Sequence, residues 1–244
     1  MGVSAGAFNL IFSGRKISII CARDLIVSSL SILLRNNICW SRMDYDYSKI
    51  SEREKSLLPF GFQGNVYNLS YKWQEIFPGT ENPVKILEIG GYHGGNVCSL
   101  TKTYAVHTSS EIHVIDPWQD YDGYNEYKDK QNNNYSIFIN NISKLPAWDL
   151  SKIYLHRMKS EDIDKRFADE MFDIIYIDGN HLTKYVLEDS IVSLKKAKKG
   201  AWIIWDDVFD PEVKKAVQIF LHLYKDFFHP DVITKNGQLF LKKL

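Results

Sequence analysis

VKILEIGGYHGGN, residues Val84 to Asn96, is the stretch from which the rest of the chain is read. Ile86, Leu87 and Ile89 make an apolar run of strand length, as expected of a strand covered on both faces. Glu88 interrupts the run beside a turn, where a carboxylate can face a ligand. Gly90, Gly91, Gly94 and Gly95 let the backbone bend sharply and approach that ligand, which points to a nucleotide-like cofactor. The dinucleotide fingerprint G-x-G-x-x-G fails, because Tyr92 stands where its second glycine is needed. The spacing that fits is E-x-G-x-x-x-G, carried by Glu88, Gly90 and Gly94. Asn96 to Ala105 continues as a helix whose free N-terminal amides and positive dipole end face the same ligand.

Downstream, strand and helix patterns alternate. Glu111 to Ile115 (EIHVI) predicts a second strand with Asp116 at its end. An acidic residue there can take both hydroxyls of a ribose, or can simply cap the turn at Pro117. Trp118 either lies against an adenine ring or packs in its own loop. Gln119 to Lys152 is long and polar, with a helix expected inside Tyr124 to Ile142. Ile153 to His156 predicts a third strand, and Ser160 beyond it is either an adenine contact or a helix start. FDIIYI (172–177) and AWIIW (201–205) predict strands four and five, separated by a helix running to about Lys198. Lys195, Lys196, Lys198 and Lys199 suit the solvated negative end of that helix. Asp210-Pro211 starts another helix, and Asn236-Gly237 joins two closing strands, Phe227 to Thr234 and Gln238 to Leu241.

Asp178 and the pair Asp206-Asp207 end two strands that are neighbours on one rim of such a sheet. Three carboxylates brought together repel one another unless protons or a cation intervene, and oxygen ligands suit Mg²⁺. Asn180 and Asp210 are placed to cap the following helices, which leaves the three aspartates surplus to local structure. His181, three residues after Asp178, can serve as a general base, a substrate hydrogen-bond donor or a metal-shell residue; a surface histidine is the plainer account.

LEIGGYHGG, VIDPW, FDIIYIDGNH and AWIIWDD, in this order, resemble class I S-adenosylmethionine (SAM) methyltransferases over about residues 84 to 210. The chain is similar to their metal-dependent sugar O-methyltransferase branch, which includes the macrolide and aminocoumarin enzymes and cephalosporin-hydroxylase-like proteins. The resemblance implies an α/β Rossmann-like fold with a mostly parallel seven-stranded sheet and an antiparallel last strand. It implies SAM on Glu88, Gly90, Gly91, Gly94, Asp116, Trp118, Ser160 and Asp178, and Mg²⁺ or another divalent cation on Asp178, Asp206 and Asp207. His181 and Asp178 become the catalytic candidates, and a sugar or glycan hydroxyl the leading acceptor. A catechol or other phenol, or a non-catalytic SAM-binding module, is the alternative. KKGAW before strand five departs from the family's usual two glycines.

Upstream, residues 43–83 read as a helical cap, with Ser51 and Glu54 spaced as a capping box and an amphipathic helix expected over Asn65 to Phe77. Tyr67, Asn68 and Tyr71 are its candidate site-lining residues. Residues 1–42 form an apolar extension; Ile17 to Leu34 carries Arg23 and Asp24, and its uninterrupted part is too short to span a bilayer. It is open to three readings: an amphipathic helix on the domain or a membrane surface, an oligomer contact, or an appended leader. Met43 opens a more typical soluble sequence and can serve as a start. Lysine plus arginine equals aspartate plus glutamate at 30 each, so no overall basic field draws nucleic acid. Three cysteines, Cys21, Cys39 and Cys98, give neither metal spacing nor a disulfide framework, which points to a reducing, cytoplasmic setting.

Overall fold

A computed structural model of the protein describes residues 10–12, 15–17, 51–121, 125 and 127–244. The chain divides into two compact units, Met1–Met43 and Asp44–Leu244. In the first, β1 (Leu10–Phe12) and β2 (Arg15–Ile17) pair antiparallel, Leu10 opposite Ile17. The apolar segment expected beyond Ile17 lies outside the described residues, as do Cys21, Cys39, Met43 and Tyr124. Among the described residues no helix is long and apolar enough to cross a membrane.

The second unit is built on a seven-stranded sheet. Its strands are β3 (Lys85–Ile89), β4 (Glu111–Ile115), β5 (Ile153–His156), β6 (Phe172–Ile177), β7 (Ala197–Trp205), β8 (Ile233–Lys235) and β9 (Gln238–Lys242). Their order is β5-β4-β3-β6-β7-β9-β8, parallel from β5 to β7, with β9 antiparallel to β7 and to β8. The helices are α1 (Glu52–Leu57), α2 (Gly95–Thr103), α3 (Gln131–Ile142), α4 (Ala147–Leu150), α5 (Ile163–Arg166), α6 (Thr183–Lys196) and α7 (Pro211–Tyr224). This is the expected α/β Rossmann-like arrangement.

Alternation sorts the two cores. Ile86, Ile112, Val114, Ile174, Tyr176, Ile204 and Phe240 face one layer, filled by α2, α3 and the segment before β3. Leu87, Ile89, Ile115, Ile175, Ile177, Ile203 and Trp205 face the other, filled by α6 and α7. A register shift between Phe172 and Ile174 turns Phe172 to the second layer.

Local signals set several boundaries. Ser51 and Glu54 form the expected capping box, and Asp210 Oδ1 accepts from the Glu212 and Val213 amides with Pro211 at the first position of α7. Asn236 and Gly237 both take positive φ, +53° and +79°, as a tight β8–β9 hairpin requires. The helix expected over Asn65 to Phe77 is reduced to a 3₁₀ turn, Ser70–Glu75. Asn68 sits at φ +23°, outside the helical region, and the Ser70 amide donates to Asn96 Oδ1 rather than along a helix. Strand β7 begins four residues earlier than expected. Lys196 is not solvated: it is 1% exposed and bonds the Phe167 carbonyl and Asp169 Oδ1.

Candidate active site

The strand order reverses between β4-β3 and β6, so the turns after β3 and β6 flank the crevice where open α/β sheets bind ligands. The two turns touch. Gly90 has φ +98°, and a Cβ there would lie 1.9 Å from the Asp178 carbonyl oxygen. The Asp178 amide donates to the Ile89 carbonyl at 2.8 Å. Gly91 is closed off differently: its Cβ would meet Val114 at 2.8 Å and Trp118 at 3.0 Å. Gly94, at φ +80°, caps α2 and lies against Phe138. These glycines therefore answer first to close protein packing.

The other residues expected at the cofactor are all fixed by partners. Glu88 is buried; its Oε2 accepts from Asn96 Nδ2 at 3.1 Å, and burial followed by Asp178 raises its pKa well above the carboxylate range. Asp116 receives the Gly91, Tyr92 and Trp118 amides at 3.0, 3.1 and 2.7 Å. Burial raises its pKa against the pull of those three donors. Its two oxygens offer about four acceptor sites, so capacity for a hydroxyl remains. Trp118 is 1% exposed, packs on Tyr135 and Phe138, and donates from its indole to the Tyr92 carbonyl, as the packed-loop reading has it. Ser160 opens a 3₁₀ turn beside Asp189, whose carboxyl burial pushes up to about 7 against the pull of Ser160. His93 is buried, accepting the Asn65 amide on Nδ1 and pairing Nε2 with Asn134 Oδ1.

Across the crevice, Asp178, His181 and Asp207 each offer one ligand atom, all within 4.8 Å of one another. His181 Nε2 lies 3.8 Å from Asp178 Oδ1 and 3.6 Å from Asp207 Oδ2. Asn180 lies between Asp178 and His181 in the chain. Its Oδ1 accepts from the Leu182 amide in a local turn instead of capping α6, whose N-cap is Leu182. Its buried Nδ2 has no hydrogen-bond partner among the described residues.

Asp206 is not in this convergent group. It is buried, with Oδ1 accepting from Asn68 Nδ2 and Oδ2 from the Tyr176 hydroxyl, both at 2.8 Å. The same hydroxyl lies 3.2 Å from Asp178 Oδ2. One phenol carries one proton, so it satisfies only one of the two carboxylates at a time. Burial, then Asp178 and Asp207, raise Asp206 well above its ordinary pKa; burial also raises Asp178, against the pull of His181. The site thus holds more carboxylate charge than its own donors balance, and O and N ligands of this kind suit a hard divalent cation. A cation fits the residues present.

Tyr176, Gln238 and Trp73 are absent from the sequence-derived site. Tyr176 stands two residues before Asp178, near the end of β6, and was legible as a polar group in a strand whose other polar side chain is Asp173. Gln238 and Trp73 had no such signal. Of the expected lining residues, Asn68 reaches Asp206 and Tyr67 bonds Asn65, whereas the Tyr71 hydroxyl turns to Glu54.

A methyltransferase-domain family model matches residues 87–208. No curated protein matches the chain in sequence. Several solved structures share the fold. One is a candidate O-methyltransferase from Klebsiella pneumoniae, 15% identical, with TM-score 0.52, covering 79% of this chain and 86% of that one. Cofactor-bound Rv0187 from MTB is 15% identical, with TM-score 0.51, covering 78% and 85%. A Corynebacterium glutamicum protein is 11% identical, with TM-score 0.52, covering 75% and 83%.

Proposed function

The chain belongs to the methyltransferase-domain family, with the class I SAM-dependent fold, and we propose that it methylates a hydroxyl oxygen of a sugar or glycan with help from a divalent cation. The observation that carries the reading is the meeting of a glycine turn with Asp178, His181 and Asp207 at the switch point of the sheet. In this reading residues 84–244 are the catalytic domain, 43–83 its cap and 1–42 an extension.

Glu88, Gly90, Gly91, Gly94, Asp116, Ser160 and Asp178 would hold SAM, with Asp116 the residue placed for a ribose. Trp118 supports the turn from within the core rather than offering an open ring. SAM, when bound, supplies a methyl already activated by its sulfonium charge, which leaves the chain chiefly to align an acceptor. Asp178 and Asp207 would hold the cation, with Asp206 behind them; such an ion lowers the pKa of a bound hydroxyl. His181, half-buried between the two carboxylates, takes the acceptor's proton; neutral imidazole accepts one near pH 7. The unpartnered Asn180 amide supplies a donor close by.

A labelled-methyl screen over nucleotide sugars, glycans and phenols, run with Mg²⁺ and with EDTA, tests the reading. Transfer to a sugar hydroxyl that EDTA abolishes and Mg²⁺ restores is expected. Full transfer in EDTA would remove the cation, and transfer to phenols alone would move the acceptor to the catechol class. Tight SAM binding with no transfer to any acceptor would favour a binding module.

A further inference from the structure

A buried chain of hydrogen bonds runs from the segment before β3 to the acidic site. The Trp73 indole Nε1 donates to Gln238 Oε1 at 3.0 Å, Gln238 Nε2 donates to the Tyr176 hydroxyl at 3.3 Å, and that hydroxyl reaches Asp206 at 2.8 Å. Its direction is fixed by chemistry. An indole N–H can only donate, so it takes the Gln238 carbonyl and turns the amide nitrogen toward Tyr176. The phenol oxygen then accepts, and its one proton is committed to a carboxylate. Trp73, Gln238 and Tyr176 are 0%, 1% and 1% exposed, so water offers no substitute partner. Asn68 closes the arrangement by donating to the other oxygen of Asp206.

We propose that Tyr176 is a positioning residue for the cation site. Held by Gln238 and Trp73, and with Asn68 opposite, it fixes the Asp206 carboxylate that backs the ion-holding Asp178 and Asp207. The proposal rests on the metal-assisted reading above. It joins four segments distant in sequence: the links span 165, 62 and 30 residues. Apart from the Tyr176 hydroxyl's 3.2 Å approach to Asp178, these groups bond none of the residues placed at SAM, so SAM affinity should fall far less than ion affinity.

The test uses the full chain and Mn²⁺ as the probe ion, with bound ion counted by electron paramagnetic resonance and SAM affinity by calorimetry. Tyr176→Phe deletes the hydroxyl and leaves the ring. Asn68→Gly is the second variant; Asn68 is half-buried at φ +23°, a backbone that glycine adopts freely, so its folding is not at stake. Each should weaken Mn²⁺ binding ~10–100-fold, as losing a partner that orients a metal ligand does, while SAM affinity falls far less. Mn²⁺ affinity unchanged in both variants would overturn the proposal, and so would equal losses of Mn²⁺ and SAM binding, which mark a merely structural role. A wild-type chain that binds no Mn²⁺ would overturn the metal-assisted reading itself, and the proposal with it.

Discussion

At the residue scale, His181 and Gly90 make opposite demands on the chain. His181 is a chemical group: if it takes the acceptor's proton, His181→Ala lowers kcat by ~10²–10⁴-fold. Mn²⁺ binding should survive the change; loss of ion and rate together would make His181 a ligand instead. Gly90 is a geometric one. Gly90→Ala must place a methyl on the Asp178 carbonyl while holding φ +98°. Strain of ~1–3 kcal/mol from the backbone alone should appear as a lower Tm, before the clash is added. An unchanged melt would mean that the two turns separate easily. The places of Glu88, Gly90, Asp116, Asp178 and Asp207 were legible because each stands at or beside a strand end, where periodicity breaks. Asp206 was legible as an acid but not in its direction. Whether a strand-end aspartate points at solvent or back at a tyrosine depends on partners 30 and 138 residues away.

At the element scale, β4 and β5 carry a pH-sensitive contact away from the site. His113 Nε2 meets Glu111 Oε2 at 3.0 Å, and His113 Nδ1 meets His156 Nε2 at 3.0 Å. Glu111 takes the proton of Nε2, so Nδ1 accepts from His156 and both rings are neutral. Burial lowers the pKa of His113; burial and the neighbouring His113 push His156 to about 4. The unfolded chain protonates both rings from about pH 6.5, whereas the fold resists protonation further down. Stability is therefore full above about pH 6.5 and is lost as pH falls toward 4. The Tm of His156→Gln should fall less steeply over that range than that of wild type; equal slopes would place the acid loss elsewhere. Most strands were readable from apolar runs and turn residues, β4, β5 and β6 to the residue, but the strand expected over Phe227 to Thr234 is confined to β8, Ile233–Lys235, after a 3₁₀ turn at Lys225–Phe227. The segment over 65–77 was not, because Val66, Leu69, Trp73 and Ile76 fit a helical spacing equally well. Tertiary partners chose the extended path: Asn65 donates its amide to His93, and Asn68 its side chain to Asp206.

At the scale of the whole molecule, a chain beginning at Met43 contains the second compact unit entire. It should fold cooperatively and keep its SAM affinity, as calorimetry and titration would show. Loss of either would mean that residues 1–42 complete the domain. Comparing the partitioning of full and shortened chains onto anionic vesicles tests the membrane-surface reading of that extension. Within the second unit, the turns after β3 and β6 leave no play between them, since Gly90 has no room for a methyl and the Asp178 amide is fastened to Ile89. Their occupants would then report on each other. If the cation changes SAM affinity by some factor, SAM must change cation affinity by the same factor, because the four binding steps close a thermodynamic cycle. Titrating SAM with and without Mn²⁺, and Mn²⁺ with and without SAM, should return one number twice. A value of one would mean that two turns in contact can nevertheless fill as strangers.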